Sequence, residues 1–175
     1  SRLFFDLPLE EKLKVPVNST GVGYTPLQVE SLAASLGEKT AGDLKESLNV
    51  GRDFDHDRWP ANPPELKPLW IEYFRTINAL AATIMRIFAT ALDLPEHFFD
   101  DKTNVGNSIL RPIHYPPITT PDVPNVRAGA HEDINFITLL VGASAAGLEV
   151  RSHNGEWVPF TAEADTIVVN IGNML

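Results

Sequence analysis

The sequence predicts an α+β fold in which a helical, loop-rich layer over residues 1–104 precedes antiparallel strands over residues 105–175. The helical layer is indicated by one apolar stripe at three- and four-residue steps between Leu69 and Leu92. The strands are indicated by short runs of β-branched and large apolar residues, two of which flank Asn154-Gly155, a dipeptide typical of hairpins. Helices followed by such strands favour a sandwich or barrel of strands.

The composition indicates one globular domain. Hydrophobic residues make up 43% and charged residues 21% of the 175 residues, which is enough apolar surface for a packed core. The 23 acidic and 14 basic residues give a net charge of −9, which argues against nucleic-acid partners and against binding to an anionic membrane surface. The chain has no cysteine, so disulfides, zinc fingers and iron–sulfur ligation are excluded.

Neither a membrane span nor an export signal is predicted. The longest uncharged stretch of the apolar region, residues 134–148, has 15 residues, whereas a spanning helix needs about 20. The start of the chain lacks the basic, apolar and small-residue pattern of a signal peptide. We therefore expect a cytoplasmic protein.

The first 104 residues contain the predicted helices. Asp6 is placed to cap a short helix that carries Pro8 in its first turn. Residues 20–26 are rich in turn-forming residues, and the prolines within residues 49–68 predict a long ordered loop. The long helix follows over Leu69–Leu92.

Five runs after residue 104 are predicted strands. Pro112 argues for an edge or bulged position of the first run, and Asn154-Gly155 predicts a hairpin between the third and the fourth. The runs span Ser108–Tyr115, His131–Val141, Gly147–Arg151, Glu156–Phe160 and Thr166–Ile171.

One pair of residues carries metal-binding chemistry. His131 and Asp133 stand two positions apart at the start of a predicted strand, and residues i and i+2 of a strand point to the same face. An imidazole nitrogen and a carboxylate oxygen suit Fe(II), and a second imidazole would complete a facial triad with open positions. The alternative interpretation of the same tripeptide is a surface histidine beside a solvated acid.

Seven segments across nearly the whole chain stand in a defined order: Gly23-Tyr24-Thr25-Pro26; Asp43-Leu44-Lys45-Glu46 with Asn49-Val50-Gly51; Ile109-Leu110-Arg111-Pro112-Ile113-His114-Tyr115-Pro116-Pro117; Ala130-His131-Glu132-Asp133 with Thr138-Leu139-Leu140; Gly147-Leu148-Glu149-Val150; Gly155-Glu156-Trp157; and Val168-Val169-Asn170-Ile171-Gly172-Asn173-Met174-Leu175. This series resembles the isopenicillin N synthase-like branch of the iron(II)/2-oxoglutarate-dependent oxygenases. The resemblance implies a double-stranded β-helix (jelly-roll) core, incomplete in this chain, with the helical layer outside it. Residues 1–175 would then form one partial oxygenase domain.

The resemblance also implies a site and an activity. It makes His131 and Asp133 two iron ligands and places the Tyr115 hydroxyl near the carboxylate of 2-oxoglutarate. Arg111, on the same predicted strand as Tyr115, is a further candidate for binding that anion. The implied cofactors are Fe(II) and the co-substrate 2-oxoglutarate. The implied activity is oxidation of an unactivated C–H bond of a small molecule by O2, with succinate and CO2 as co-products.

The family pattern extends beyond this chain. In the family a second histidine completes the iron site several tens of residues after the Val168–Ile171 strand, and an Arg-x-Ser pair follows it. Both would lie past Leu175, so we expect residues 1–175 to be inactive by themselves. Two alternatives stay open. One is a non-catalytic jelly-roll fragment or binding module without the complete metal site, and the other is a cupin-type metal protein, which usually has His-x-His instead of His131-x-Asp133.

Four other histidines receive structural interpretations. His153 is expected in an exposed turn, and His56 in a solvated charge cluster that lacks the EF-hand pattern. His97 is expected to pack at a helix end. His114 is expected to face away from Tyr115, because neighbouring residues of a strand point to opposite faces, and to be either a packed residue or one that supports a metal ligand from outside.

Overall fold

The chain folds into two compact units, Ser1–His131 and Glu132–Leu175, which are called the first unit and the second unit below. A computed structural model gives both units. It describes residues 1–37, 41–56, 58–104, 106–119, 127–142, 145–163 and 165–175, with the backbone alone at Ser35.

The long helix of the first unit, α3, spans Leu66–Ala91. Its buried side chains Leu66, Trp70 and Phe74 recur every four residues, so one stripe of the helix is removed from solvent. The short helices are α1 (Arg2–Phe5), α2 (Leu9–Lys12) and α4 (Asp100–Thr103), and a 3-10 helix spans Leu32–Leu36. No helix in the described part of the chain is both long and apolar enough to cross a bilayer.

The first unit also contains an antiparallel sheet with the strand order β1–β2–β3. The strands are β1 (Gly23–Thr25), β2 (Glu46–Asn49) and β3 (Ile113–His114). All four residues of β2 are buried, although three of them are polar. A strand that is buried on both faces does not alternate between apolar and polar residues.

The hydrophobic core of the first unit is built around aromatic rings that meet edge to face. The ring centroids of Phe4 and Tyr24 lie 5.8 Å apart, and those of Trp59 and Trp70 lie 6.4 Å apart. The core cluster joins residues of α1, the sheet and α3, and it consists of Phe4, Phe5, Val15, Tyr24, Leu48, Val50, Leu66 and Trp70.

The second unit consists of two antiparallel strand pairs. β4 (Ile137–Val141) pairs with β7 (Ile167–Ile171) along its whole length. β5 (Leu148–Arg151) and β6 (Trp157–Phe160) form a hairpin, and Gly155 in its turn has a φ of +88°, which glycine adopts without steric cost. In the described ranges these strands do not close into a barrel.

The structure confirms the α+β class, the long helix and the Asn154-Gly155 hairpin, but it corrects three predictions. Asp6 does not cap the second short helix, because α2 begins after Pro8 and has no side-chain cap. Strand β1 lies within the segment predicted to be turn-rich, and β2 lies within the layer that was expected to contain only helices and loops. The predicted strand His131–Val141 begins only at Ile137, because carbonyls of the preceding residues accept hydrogen bonds from the turn at 172–174 instead of a strand ladder.

Candidate functional site

His131 is the last residue of the first unit and lies in a loop, not on the predicted strand. Its Nδ1 lies 2.7 Å from the backbone oxygen of Gly129. A carbonyl oxygen can only accept a hydrogen bond, so Nδ1 carries the proton and the lone pair of the neutral imidazole is on Nε2. Metal-bound histidines almost always donate their other ring N–H to a carbonyl or a carboxylate. The local geometry of His131 therefore suits ligation through Nε2.

Gly129, which accepts this hydrogen bond, is itself held from two sides. Its backbone N–H donates to Oδ1 of Asp43 at 3.1 Å. On the other side it lies against Ala33, where a Cβ added at position 129 would stand 2.9 Å from the Ala33 Cβ. Only glycine allows the backbone to approach Ala33 this closely, so the position of the loop is fixed by packing as well as by the hydrogen bond.

Asp43 is a fully buried carboxylate whose side chain has 0% exposed surface. Its Oδ2 accepts hydrogen bonds from the backbone N–H of Leu32 and from Nζ of Lys45, each at 3.0 Å. The Nζ of Lys45 also lies 2.9 Å from Oε2 of Glu30. Because unpaired charges are costly to bury, these opposite charges stabilise one another inside the unit.

Arg111 extends this charge network. Its Nη1 donates to Oε1 of Glu30 at 3.2 Å. We refer to Asp43, Lys45, Glu30 and Arg111 as the Asp43 cluster. Arg111 lies before β3, so the expectation that it shares a strand with Tyr115 is wrong, because β3 is limited to Ile113–His114.

Tyr115 follows β3 directly and is 40% exposed. Burial of the remaining surface raises the pKa of its hydroxyl, and the carboxylates of Asp43 and Glu30 raise this pKa further. Arg127 and Arg111 lower the pKa by smaller amounts. The hydroxyl therefore stays protonated at neutral pH and can donate a hydrogen bond to an anion.

Asp133 belongs to the second unit, where it is half-buried in the loop before β4. Its backbone oxygen accepts a hydrogen bond from the N–H of Asn173 at 3.0 Å. The turn after β7 also approaches Asn135 closely, since a Cβ added at Gly172 would stand 2.1 Å from the backbone oxygen of Asn135. The backbone that carries Asp133 is thus fixed by the turn at residues 172–174.

The other histidines are engaged in different ways. His153 is exposed in the β5–β6 turn, as predicted. The exposed pair formed by His56 matches the predicted solvated charge cluster, whereas His97 pairs with an acid instead of packing. The Nδ1 atoms of three histidines lie against carboxylates: His114 with Glu46 at 2.7 Å, His56 with Asp53 at 2.8 Å and His97 with Asp100 at 2.9 Å.

His131 and Asp133 supply the neutral nitrogen and the anionic oxygen that Fe(II) accepts, so their donor types fit two of the three ligands of a facial triad. Within the described ranges, no three side chains of His, Cys, Asp or Glu are grouped so that they could hold a metal ion. Sequence reasoning missed the contact of Asp43 with Gly129. Its only signal was the segment Asp43–Glu46, which contributed to the resemblance but had no chemical role.

Comparison with known proteins identifies the family. The 2-oxoglutarate-Fe(II) type oxidoreductase hxnY of Emericella nidulans is 32% identical over an alignment of 197 positions, which covers 100% of this chain and 55% of that protein. The model of the 2OG-Fe(II) oxygenase superfamily matches residues 106–175, and the model named "non-haem dioxygenase in morphine synthesis N-terminal" matches residues 1–72. The chain belongs to the 2OG-Fe(II) oxygenase superfamily.

Solved structures of 2OG-Fe(II) oxygenases confirm the jelly-roll class of the fold. A 2OG-Fe(II) oxygenase family protein from Caulobacter crescentus is 36% identical with a TM-score of 0.81, over 99% of this chain and 58% of that one. A full-length protein of Neurospora crassa, crystallised in complex with alpha-KG and thymine, is 32% identical with a TM-score of 0.84, over 98% of this chain and 57% of that one. The chain thus spans little more than half the length of these proteins.

Proposed function

We propose that the whole protein is an Fe(II)- and 2-oxoglutarate-dependent oxygenase that oxidises an unactivated C–H bond of a small molecule, with His131 and Asp133 as two iron ligands. The observation that carries the proposal is the hydrogen bond from Nδ1 of His131 to the Gly129 oxygen, which presents the lone pair on Nε2. Membership of the 2OG-Fe(II) oxygenase superfamily supports the same choice of cofactors. When bound, Fe(II) and 2-oxoglutarate would supply the chemistry that reduces and activates O2, and 2-oxoglutarate would leave as succinate and CO2.

Each proposed residue has its own task. His131 holds the metal through Nε2, and the carboxylate of Asp133 contributes the anionic ligand that offsets part of the metal's charge. The Tyr115 hydroxyl donates a hydrogen bond to a carboxylate of 2-oxoglutarate, and its raised pKa keeps the proton in place. Arg111 adds positive charge for the same anion, and its ion pair with Glu30 holds the guanidinium in position.

We further infer that the protein belongs to the isopenicillin N synthase-like branch and that its substrate is a small molecule. The order of the seven segments supports the branch, and the thymine complex of the Neurospora protein supports the substrate class. We also propose that residues 1–175 are inactive by themselves, because a facial triad needs a third ligand. In the described part of the chain no third side chain joins the proposed pair.

The test is an anaerobic Fe(II) titration of the whole protein with and without 2-oxoglutarate, followed by the weak visible charge-transfer band of the iron–2-oxoglutarate complex. We expect the band in the wild type and its loss in His131→Ala and Asp133→Ala, since each removes one ligand. Asp133→Ala should also abolish turnover, because it removes the only anionic protein ligand.

His153→Ala is the matched control, because it removes an exposed histidine of the β5–β6 turn and should leave the band unchanged. A band of wild-type intensity in Asp133→Ala would remove Asp133 from the metal site. A wild type that shows no band at saturating Fe(II) and 2-oxoglutarate would instead favour the non-catalytic binding module.

A further inference from the structure

The buried carboxylate of Asp43 is connected to His131 by two successive hydrogen bonds. The first runs from the Gly129 N–H to Oδ1 of Asp43 at 3.1 Å, and the second from Nδ1 of His131 to the Gly129 oxygen at 2.7 Å. One residue, Gly129, is therefore the donor to the carboxylate and the acceptor for the imidazole. A shift of Gly129 would move the acceptor on which the orientation of the imidazole depends.

Asp43 is itself held rigidly. Its side chain has no exposed surface, and its two carboxylate oxygens accept three hydrogen bonds, from Gly129, Leu32 and Lys45. Its backbone N–H donates to the backbone oxygen of Glu30 at 2.7 Å. A buried group with this many partners has little freedom to rotate, so its Oδ1 is a fixed point for the loop at residues 127–131.

We propose that Asp43 is a positioning residue for His131, which it holds, through Gly129, in the tautomer and orientation that ligation by Nε2 requires. This inference rests on the proposed function, because it assumes that His131 is an iron ligand. The Asp43 cluster then has a task beyond stability, because Nζ of Lys45, which also pairs with Glu30, donates to Oδ2 of Asp43 and helps to fix the orientation of the carboxylate. Outer partners of metal-bound histidines typically contribute 10- to 100-fold to metal affinity.

The test measures the affinity of the whole protein for Co(II) alone, without 2-oxoglutarate, from its visible d–d bands. We expect Asp43→Ala to bind Co(II) about 10- to 100-fold more weakly than the wild type, because the Gly129 N–H loses its acceptor. Asp43→Asn should show a smaller loss. Its one remaining oxygen can accept from Gly129 or from the Leu32 and Lys45 donors, but not from both sides.

Glu46→Gln is the matched control, because it should destabilise the first unit without disturbing the position of His131. Glu46 is also a buried carboxylate with a lysine partner in the first unit, but none of its described hydrogen bonds reaches residues 127–131. We expect its Co(II) affinity to equal that of the wild type. Equal weakening in Glu46→Gln and Asp43→Asn at matched thermal stability would overturn the proposal, as would wild-type affinity in Asp43→Asn.

A second readout follows the imidazole directly. The 15N chemical shifts of His131 in the metal-free protein should indicate the Nδ1–H tautomer in the wild type and in Glu46→Gln, and a mixture of tautomers in Asp43→Asn. An unchanged tautomer in Asp43→Asn would overturn the positioning role even if this variant binds metal poorly. Failure of the proposed function looks different, because His131→Ala would then bind Co(II) as tightly as the wild type.

Discussion

The two units support their proposed iron ligands in different ways. In the first unit, His131 depends on a buried carboxylate, a buried lysine and a glycine that lies against Ala33. In the second unit, the backbone around Asp133 depends on hydrogen bonds from the turn that follows β7. The first unit has a core of fully buried aromatic and aliphatic side chains, whereas Gly172 is the only buried residue among those described in the second.

This contrast indicates where each unit is sensitive to substitution. Side-chain burial and paired charges dominate in the first unit, so truncating a core side chain or removing a charge should be costly there. Backbone hydrogen bonds and close backbone contacts dominate in the second unit, so most side-chain truncations should be mild and an added Cβ at a crowded glycine should be severe.

The largest effect is expected for Glu46→Gln. Glu46 accepts a hydrogen bond from Nζ of the buried Lys12 at 2.8 Å and further hydrogen bonds from Tyr24 and His114. The substitution leaves the lysine without an anionic partner, so we expect a loss of about 3–5 kcal/mol in the free energy of unfolding. Urea denaturation at neutral pH measures this loss.

The same variant gives a pH signature. Burial alone would raise the pKa of Glu46, but the hydrogen bonds from Lys12, Tyr24 and His114 outweigh it and lower this pKa. The stabilising contribution of the carboxylate is thus complete above the pKa of the unfolded chain, about 4.3, and is lost as the pH falls through the lower folded pKa. The difference in the free energy of unfolding between the wild type and Glu46→Gln should become smaller below about pH 4. A difference that grows on acidification would contradict a lowered pKa of Glu46.

The second effect compares truncation in the two units. Leu48 is 1% exposed and belongs to the core cluster, so Leu48→Ala should lower the free energy of unfolding by about 2–5 kcal/mol. Val150 on β5 is 52% exposed, and Val150→Ala should change the free energy of unfolding by less than about 0.5 kcal/mol. Equal losses in the two variants would mean that the second unit has a side-chain core of its own.

The third effect probes the backbone contact in the second unit. Gly172→Ala places a Cβ 2.1 Å from the backbone oxygen of Asn135. We expect the free energy of unfolding to fall by about 1–3 kcal/mol and the amide of Asn173 to exchange its hydrogen faster. Gly142→Ala is the control, because a Cβ there meets no atom within 4 Å. If the two variants were equally stable, the turn would be able to move away from Asn135 without cost.

The elements with regular hydrophobic periodicity could be predicted from the sequence. The stripe of α3 was found because the helix removes one face from solvent, which fixes the period of its apolar residues. The runs of β4 and β7 were found from their β-branched and large apolar residues. The hairpin was found because its turn contains Gly155, which adopts the positive φ that glycine allows without steric cost.

The polar interior could not be predicted in the same way. β2 contains Glu46, Ser47 and Asn49, all buried, so its hydropathy pattern resembles a loop. The carboxylate of Glu46 is buried because Lys12 lies beside it, and that proximity depends on tertiary structure. The role of Asp43 was missed for the same reason. The strand expected from His131 begins only at Ile137, because the turn at residues 172–174 donates hydrogen bonds to the backbone oxygens of Asp133, Asn135 and Phe136.

The contact between Asp43 and Gly129 also bears on the order of events during folding. The two residues are separated by 86 positions in the chain, so a chain emerging from the ribosome presents the carboxylate long before its partner exists. Closing so long a segment costs entropy before any contact offsets it. We therefore expect the contact between Asp43 and Gly129, and with it the support of His131, to form late in folding.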